Sequence, residues 1–243
     1  MSEQSDPKPK RDQGNWAKPV GRLETKDVPD GALDTVAGKQ VLSPIQGFGK
    51  MWQKTYTVSL AGSSATPREV VAVWKSEFPS FWPKGNRFYA PLTGIEPGEV
   101  ALVQGSVGGG LKLSTGVFVL YADEESFTFM TPQGHVFAGW VTFSAAEVDG
   151  ATVAQAQVLM RAQDPLTELG LTLGGHRKED QFWTSTLRGV AVRFGSDAEP
   201  EAKVVCIDKR RQWNRVGNVR HNVGFRSGVH SVTSPLRNRG QSD

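Results

Sequence analysis

The chain has 243 residues, 38% of them hydrophobic, with 27 glycines, 14 prolines and one cysteine. That is room for one sizeable domain with tails or for two small ones, in a turn-rich, soluble composition. No window approaches the ~18 uninterrupted apolar residues of a membrane-spanning helix, and the lone Cys206 excludes an internal disulfide framework.

The first residues, MSEQSDPKPKRDQGNW, are polar and lack an apolar run after their charges. A secretory leader is therefore not expected, and a cytoplasmic location is. Net charge is +3, but residues 209–239 hold eight Lys or Arg and no acid, so the remainder of the chain is net −5. The tail is basic and the body mildly acidic.

Residues 1–40 are charged, proline-containing and aperiodic, which predicts a mostly disordered arm. Structure is expected from Val41. After Gly47-Phe48-Gly49, the residues Trp52, Tyr56, Val58 and Leu60 share one side of a strand from Met51 to Leu60. Thr66-Pro67-Arg68-Glu69 is a helix start, with Thr66 as cap, Pro67 where its missing N–H costs nothing, and Glu69 reaching back. Pro79 and Pro83 end that helix, which leaves either a short helix pair or a helix followed by an aromatic turn of Phe78, Phe81 and Trp82.

Strands follow near Arg87–Ala90, Glu99–Gln104, Gly116–Ala122, Ser126–Thr131, Phe137–Ser144 and Ala151–Arg161, with hairpin turns at Asp123-Glu124-Glu125 and Val148-Asp149-Gly150. Gly108-Gly109-Gly110 lacks the spacing and the trailing Gly-Lys-Ser/Thr of a phosphate loop and reads as a flexible hairpin loop. Asp164-Pro165 opens a helical element that Gly170, Gly174 and Gly175 interrupt before a firm helix at about Lys178–Phe194. That helix sets Phe182, Trp183, Leu187, Val190 and Phe194 on one face. Such a stripe must lie across the preceding sheet to leave water.

The strand Ala151–Arg161 presents Thr152, Ala154, Ala156, Val158 and Met160 on one face, and Val153, Gln155, Gln157, Leu159 and Arg161 on the other. The first face is apolar and small in its middle. Either large rings from the helix fill the space over the two alanines, or a cavity for an apolar ligand remains. A shift of one residue in register turns Arg161 inward as a buried cation seeking a carboxylate.

The four histidines have no zinc-hydrolase spacing, no Gly-x-Ser-x-Gly elbow occurs, and no cofactor or metal site is expected. Glu179 and Asp180 open the last helix, where negative charge suits the backbone dipoles. His135, in Thr131-Pro132-Gln133-Gly134-His135, is a turn histidine or a polar group at a cavity mouth.

The strings Gly47-Phe48-Gly49-Lys50-Met51-Trp52-Gln53-Lys54-Thr55-Tyr56, Phe81-Trp82-Pro83-Lys84-Gly85-Asn86-Arg87-Phe88-Tyr89, Phe127 through His135, and Gln181 through Arg188 resemble a group of bacterial, mainly actinobacterial, proteins of the START-like (SRPBCC) superfamily. The resemblance covers residues 41–195. It implies an α+β helix-grip fold, with a curved antiparallel sheet of about seven strands wrapped around a long C-terminal helix, and a deep, mostly apolar cavity between them. Superfamily members range from lipid or hormone binders to polyketide cyclases and Rieske-oxygenase catalytic domains. This chain lacks the His and Cys set of an iron–sulfur domain.

The expected organisation is an arm (1–40), the helix-grip domain (41–195), and a basic tail (196–243) that is partly ordered at most. Phe127, Phe129, Trp140, Ala154, Ala156, Val158, Trp183, Leu187 and Val190 are expected to line the cavity, with His135 and Arg161 as its polar groups. The leading expectation is non-catalytic binding or carriage of a small hydrophobic or amphipathic molecule. The alternatives are a cyclase- or hydratase-type enzyme, which needs an inward Arg161, His135 or Glu69, and an interaction protein. The last would use Lys209, Arg210, Arg211, Trp213 and Arg215 on nucleic acid or an acidic partner.

Overall fold

The structure, a computed structural model, describes residues 13–107 and 111–222. The Gly108-Gly109-Gly110 loop and the tail beyond Asn222, both read from the sequence, lie outside them. Eight strands form one sheet: β1 (Met51–Ser59), β2 (Arg87–Tyr89), β3 (Val100–Val107), β4 (Leu111–Ala122), β5 (Ser126–Met130), β6 (Phe137–Val148), β7 (Ala151–Ala162) and β8 (Glu201–Asp208). Their order is β2-β3-β4-β5-β6-β7-β1-β8, with antiparallel pairing throughout. From β2 to β7 each strand pairs with the next in sequence. At β6–β7 the turn places Asp149 at φ 50° and Gly150 at φ 78°, the geometry that matches strand twist.

Helix α1 (Pro67–Ser76) begins as its sequence dictates. The Thr66 side chain accepts from Glu69 N, and Glu69 Oε2 accepts from Thr66 N at 2.7 Å. Glu69 is thereby engaged at an exposed cap and does not face the interior. Helix α2 (Pro165–Gly170) is capped by Asp164, which accepts from Leu166 N and Thr167 N. A π-type turn over Leu171–Gly175 joins it to α3 (His176–Arg193). The glycines do interrupt the helix here: Gly174 sits at φ 119°, a conformation that strains any L side chain.

Both α1 and α3 lie on the same face of the sheet, α1 across β6 and β7, and α3 across β1 and β7. Facing them are Tyr56 and Val58 of β1, Ala154, Ala156, Val158 and Met160 of β7, and Phe143 and Ala145 of β6. An antiparallel sheet closed by a long C-terminal helix is the α+β helix-grip architecture.

The arm differs from expectation. The arm is laid on the outer face of the sheet from Gln13 onward, with Leu23 and Val36 almost fully buried. Trp16 bridges to Tyr121, Ala17 N donates to Leu120 O at 2.9 Å, and Thr35 Oγ1 donates to Ser114 O at 2.9 Å. A few isolated apolar anchors plus backbone pairing order a segment whose composition alone suggests disorder. Beyond residue 195, β8 pairs with β1 along its whole length and makes the eighth strand.

Candidate functional site

The space between sheet and helices is built from aromatic rings. Phe127 and Phe143, paired across β5 and β6, stack at 4.8 Å between centroids. Trp74 of α1 meets Phe143 edge-on at 5.2 Å, and Phe78, in the turn after α1, meets Phe129 at 5.2 Å and Phe143 at 5.1 Å. Trp183 of α3 reaches Phe143 at 5.5 Å. Offset and edge-to-face arrangements of this kind suit the charge distribution of the rings. The small Ala154 and Ala156, both fully buried, are the floor over which these rings pack.

Of the expected lining residues, Phe127, Phe129, Ala154, Ala156, Val158, Leu187 and Val190 are buried together, and Trp183 packs against them half-buried. Trp140 is the exception. It alternates with Val141 and Phe143 on β6, so it points to the opposite face. There it lines a groove of about 450 Å³ with Trp16, Leu120, Tyr121, Thr128 and Thr142. A second groove, of about 530 Å³, also runs over that outer face, between Thr57, Ser144, Gln155 and Glu201. Beneath α3 the rings themselves take up the space. Its rim is formed by Trp82, Phe182 and Trp183, with Trp82 and Phe182 at 5.0 Å and Phe182 and Trp183 at 4.9 Å.

Among the described residues, two donors of this apolar interior have no acceptor. The indole N–H of Trp74, a fully buried residue, and that of Trp82 make no hydrogen bond. Trp52, whose ring lies 4.9 Å from His176, carries a third unpaired indole N–H. A buried donor left without a partner costs about 1–3 kcal/mol, so such groups mark places where an acceptor is missing.

One end of the interior is ionised, and the sequence reading missed it. Lys54 of β1 is completely buried, with Nζ 2.8 Å from Glu179 Oε2 and 2.7 Å from Asp180 Oδ1. Tyr56 donates to the same Asp180 oxygen at 2.6 Å. Burial first, and the charges of Glu179 and Asp180 after it, push the Tyr56 phenol far above its ordinary pKa. It stays a proton donor, and the cluster clasps the start of α3 to β1. The signal was present in the sequence: Lys54 falls within the even-numbered apolar series Trp52, Tyr56, Val58 and Leu60.

Neither expected polar group reaches this interior. His135 stays within its turn, where Nδ1 accepts from Phe137 N at 3.0 Å. The turn is braced by buried Gln163, which accepts from Gly134 N at 2.5 Å and donates to Pro132 O at 3.2 Å. Arg161 keeps the outer parity read from the sequence yet is buried. The C-terminal segment covers it: Nη2 lies 2.6 Å from Asp208 Oδ2, and Nη1 donates to Gly49 O and Arg210 O. The carboxylate sought by this cation comes from the protein.

The tail residues are held against the body. Arg210 pairs with Asp208, Arg211 with Glu168 at 3.0 Å, and Trp213 sets its edge on Phe48 at 5.3 Å. Lys209 is exposed, and Arg215 is half-buried with Nε unpaired. Contact with nucleic acid gains no support from this arrangement. Among the described residues, no group of three His, Cys, Asp or Glu stands where it could hold a metal ion, and no helix is long and apolar enough to cross a membrane.

No family model matches the chain, and no curated protein matches it. Among solved structures it is similar to Ms6760 from Mycobacterium smegmatis, at 14% identity over 64% of this chain and 96% of that one, with TM-score 0.43. It is similar to ginseng major latex-like protein 151 from Panax ginseng at 14% identity, covering 60% and 99%, with TM-score 0.42. The di-domain ARO/CYC StfQ from the steffimycin biosynthetic pathway aligns at 9% identity over 60% of this chain and 51% of that one, with TM-score 0.47. The fold is of the α+β helix-grip type. Its sheet order and closing helix establish that on their own.

Proposed function

We propose that this chain, which we place with the mainly actinobacterial helix-grip proteins its motifs resemble, binds or carries a small apolar molecule between the sheet and α3. The molecule carries at least one hydrogen-bond acceptor. The observation behind this reading is the pair of unpartnered indole N–H groups, Trp74 and Trp82, within an otherwise apolar aromatic interior. The ligand enters at the half-buried rim of Trp82, Phe182 and Trp183, parts rings that now touch, and gives these donors their acceptor. Apolar contact supplies the affinity, at ~25 cal/mol per Å² removed from water, and the indoles fix orientation. A catalytic role is not part of the proposal: the ionisable groups at the end of the interior, Lys54, Glu179, Asp180 and Tyr56, are bonded to one another.

The test uses anilinonaphthalene sulfonate, an apolar fluorophore with acceptor oxygens, titrated into wild type, W82F and W74F. Saturable one-to-one binding is expected, about tenfold weaker in W82F, the loss of one hydrogen bond of ~1.4 kcal/mol. Absence of saturable binding, or equal affinity in all three proteins, contradicts the proposal.

A further inference from the structure

The turn Pro44–Gln46, helix α2 and the 3-10 segment Trp213–His221 adjoin one another and make a surface that the proposed ligand site does not use. They are fastened together by several contacts. Arg211 pairs with Glu168, Asn222 Nδ2 donates to Asp164 Oδ2 at 2.7 Å, and Asn218 Nδ2 donates to both Gln46 O and Gln163 O at 2.9 Å. From this surface project large apolar side chains. Leu166, Leu169 and Leu173, spaced three and four apart along one ridge, are 50%, 56% and 77% exposed. Ile45 is 70% exposed and Trp213 71%. Single exposed apolar residues are ordinary, but a group on adjoining elements marks an interaction surface.

The solvent-facing charge around them is basic. Residues 41–50, 161–178 and 208–222 contain nine Lys or Arg against three acids. All three acids are engaged: Asp164 is buried as the α2 cap, Glu168 is buried against Arg211, and Asp208 holds Arg161 and Arg210. Arg177, Lys178, Lys209 and Arg220 are left facing solvent. Aliphatic side chains ringed by cations fit the boundary between the headgroups and acyl chains of an anionic membrane. A second copy of the same surface would set like charges against each other. Single-stranded nucleic acid asks for stacking rings, whereas Trp213 is the only aromatic among the five.

We propose that this surface docks the protein on an anionic phospholipid bilayer, with Leu166, Leu169, Leu173, Ile45 and Trp213 entering the interface and the surrounding Lys and Arg meeting the headgroups. The full-length protein is sedimented with phosphatidylcholine vesicles and with phosphatidylcholine–phosphatidylglycerol vesicles. Partitioning at least about tenfold stronger onto the anionic vesicles is expected, weakening as salt is raised. The triple variant L166Q/L169Q/L173Q alters only positions at least half exposed and should lose about tenfold or more. Independently of that variant, brominated acyl chains should quench fluorescence in wild type, and the quenching should fall in W213F. Equal partitioning onto the two vesicle types, unchanged quenching in W213F, or release of the bound protein by single-stranded DNA regardless of the leucines overturns the proposal.

Discussion

Lys54 of β1 and Glu179 of α3 form an ion pair of 2.8 Å with the lysine wholly buried, and it joins two elements 125 positions apart. A pair this deep is only weak evidence of net stabilisation, because two charges lost their water to form it. Removing one partner is another matter. K54M leaves Glu179 buried without its cation and should cost about 3–5 kcal/mol. Replacing both, in K54M/E179L, should recover more than half of that loss. Urea unfolding of the three proteins measures both values, and a K54M stability within error of wild type would contradict the clasp.

The glycines between α2 and α3 predict opposite effects a few residues apart. Gly174, at φ 119°, suits only glycine, so G174A should destabilise by about 1–2 kcal/mol. Gly170 has helical φ −60° and ψ −39° and open space where a Cβ would go. G170A should therefore stabilise by up to ~1 kcal/mol. Thermal unfolding of the two variants decides it, and a G174A protein as stable as wild type would place the kink elsewhere.

Much of this scaffold was legible before any coordinates. Period-two runs located seven strands, the Thr66–Glu69 capping box set the start of α1, and the aromatic stripe on α3 demanded a sheet to lie on. The reading failed where one residue's meaning depends on a distant partner. Lys54 looks like a break in an apolar face until Glu179 and Asp180 arrive from α3. Leu23 and Val36 are too isolated in a polar arm to register as a packed segment. Trp140 was expected among the lining residues, whereas strand parity turns it outward to the groove beside Trp16. Arg161 was expected to need a register shift to become buried, and the return of β8 with Asp208 buries it without one.

Acidification should act first through His135. Burial lowers its pKa to about 4, and the bond from Phe137 N–H to Nδ1 requires that nitrogen to carry no proton. Unfolded, the ring titrates near ~6.5, so the unfolded chain binds the proton more readily. The contribution is intact above pH ~6.5 and declines as pH falls towards 4, on the order of 2 kcal/mol after allowance for the ring's partial exposure. In urea titrations across that range, H135Q should show a flatter pH dependence than wild type. Parallel curves would assign the acid sensitivity to other groups.

At lower pH the C-terminal anchor should yield. Hydrogen bonds from Arg210, and from Arg161 after it, hold the Asp208 carboxyl far below the usual carboxylate range. Its contribution is present above the unfolded value of ~3.9 and is lost as pH drops through the folded one. Substituting D208N removes the anion at every pH and should free β8 first. Hydrogen exchange at the Glu201–Asp208 amides should rise several-fold near neutral pH, while α1 keeps its protection. Unchanged exchange in β8 would mean that pairing with β1 alone secures the strand.

Native mass spectrometry of the purified full-length protein, followed by denaturing extraction, tests the central claim most directly. The account predicts an adduct at one-to-one stoichiometry that is released on unfolding as an apolar compound bearing a hydrogen-bond acceptor. It also predicts that the adduct is diminished in W82F. A protein that flies at its bare mass and takes up no apolar compound offered to it would contradict the claim.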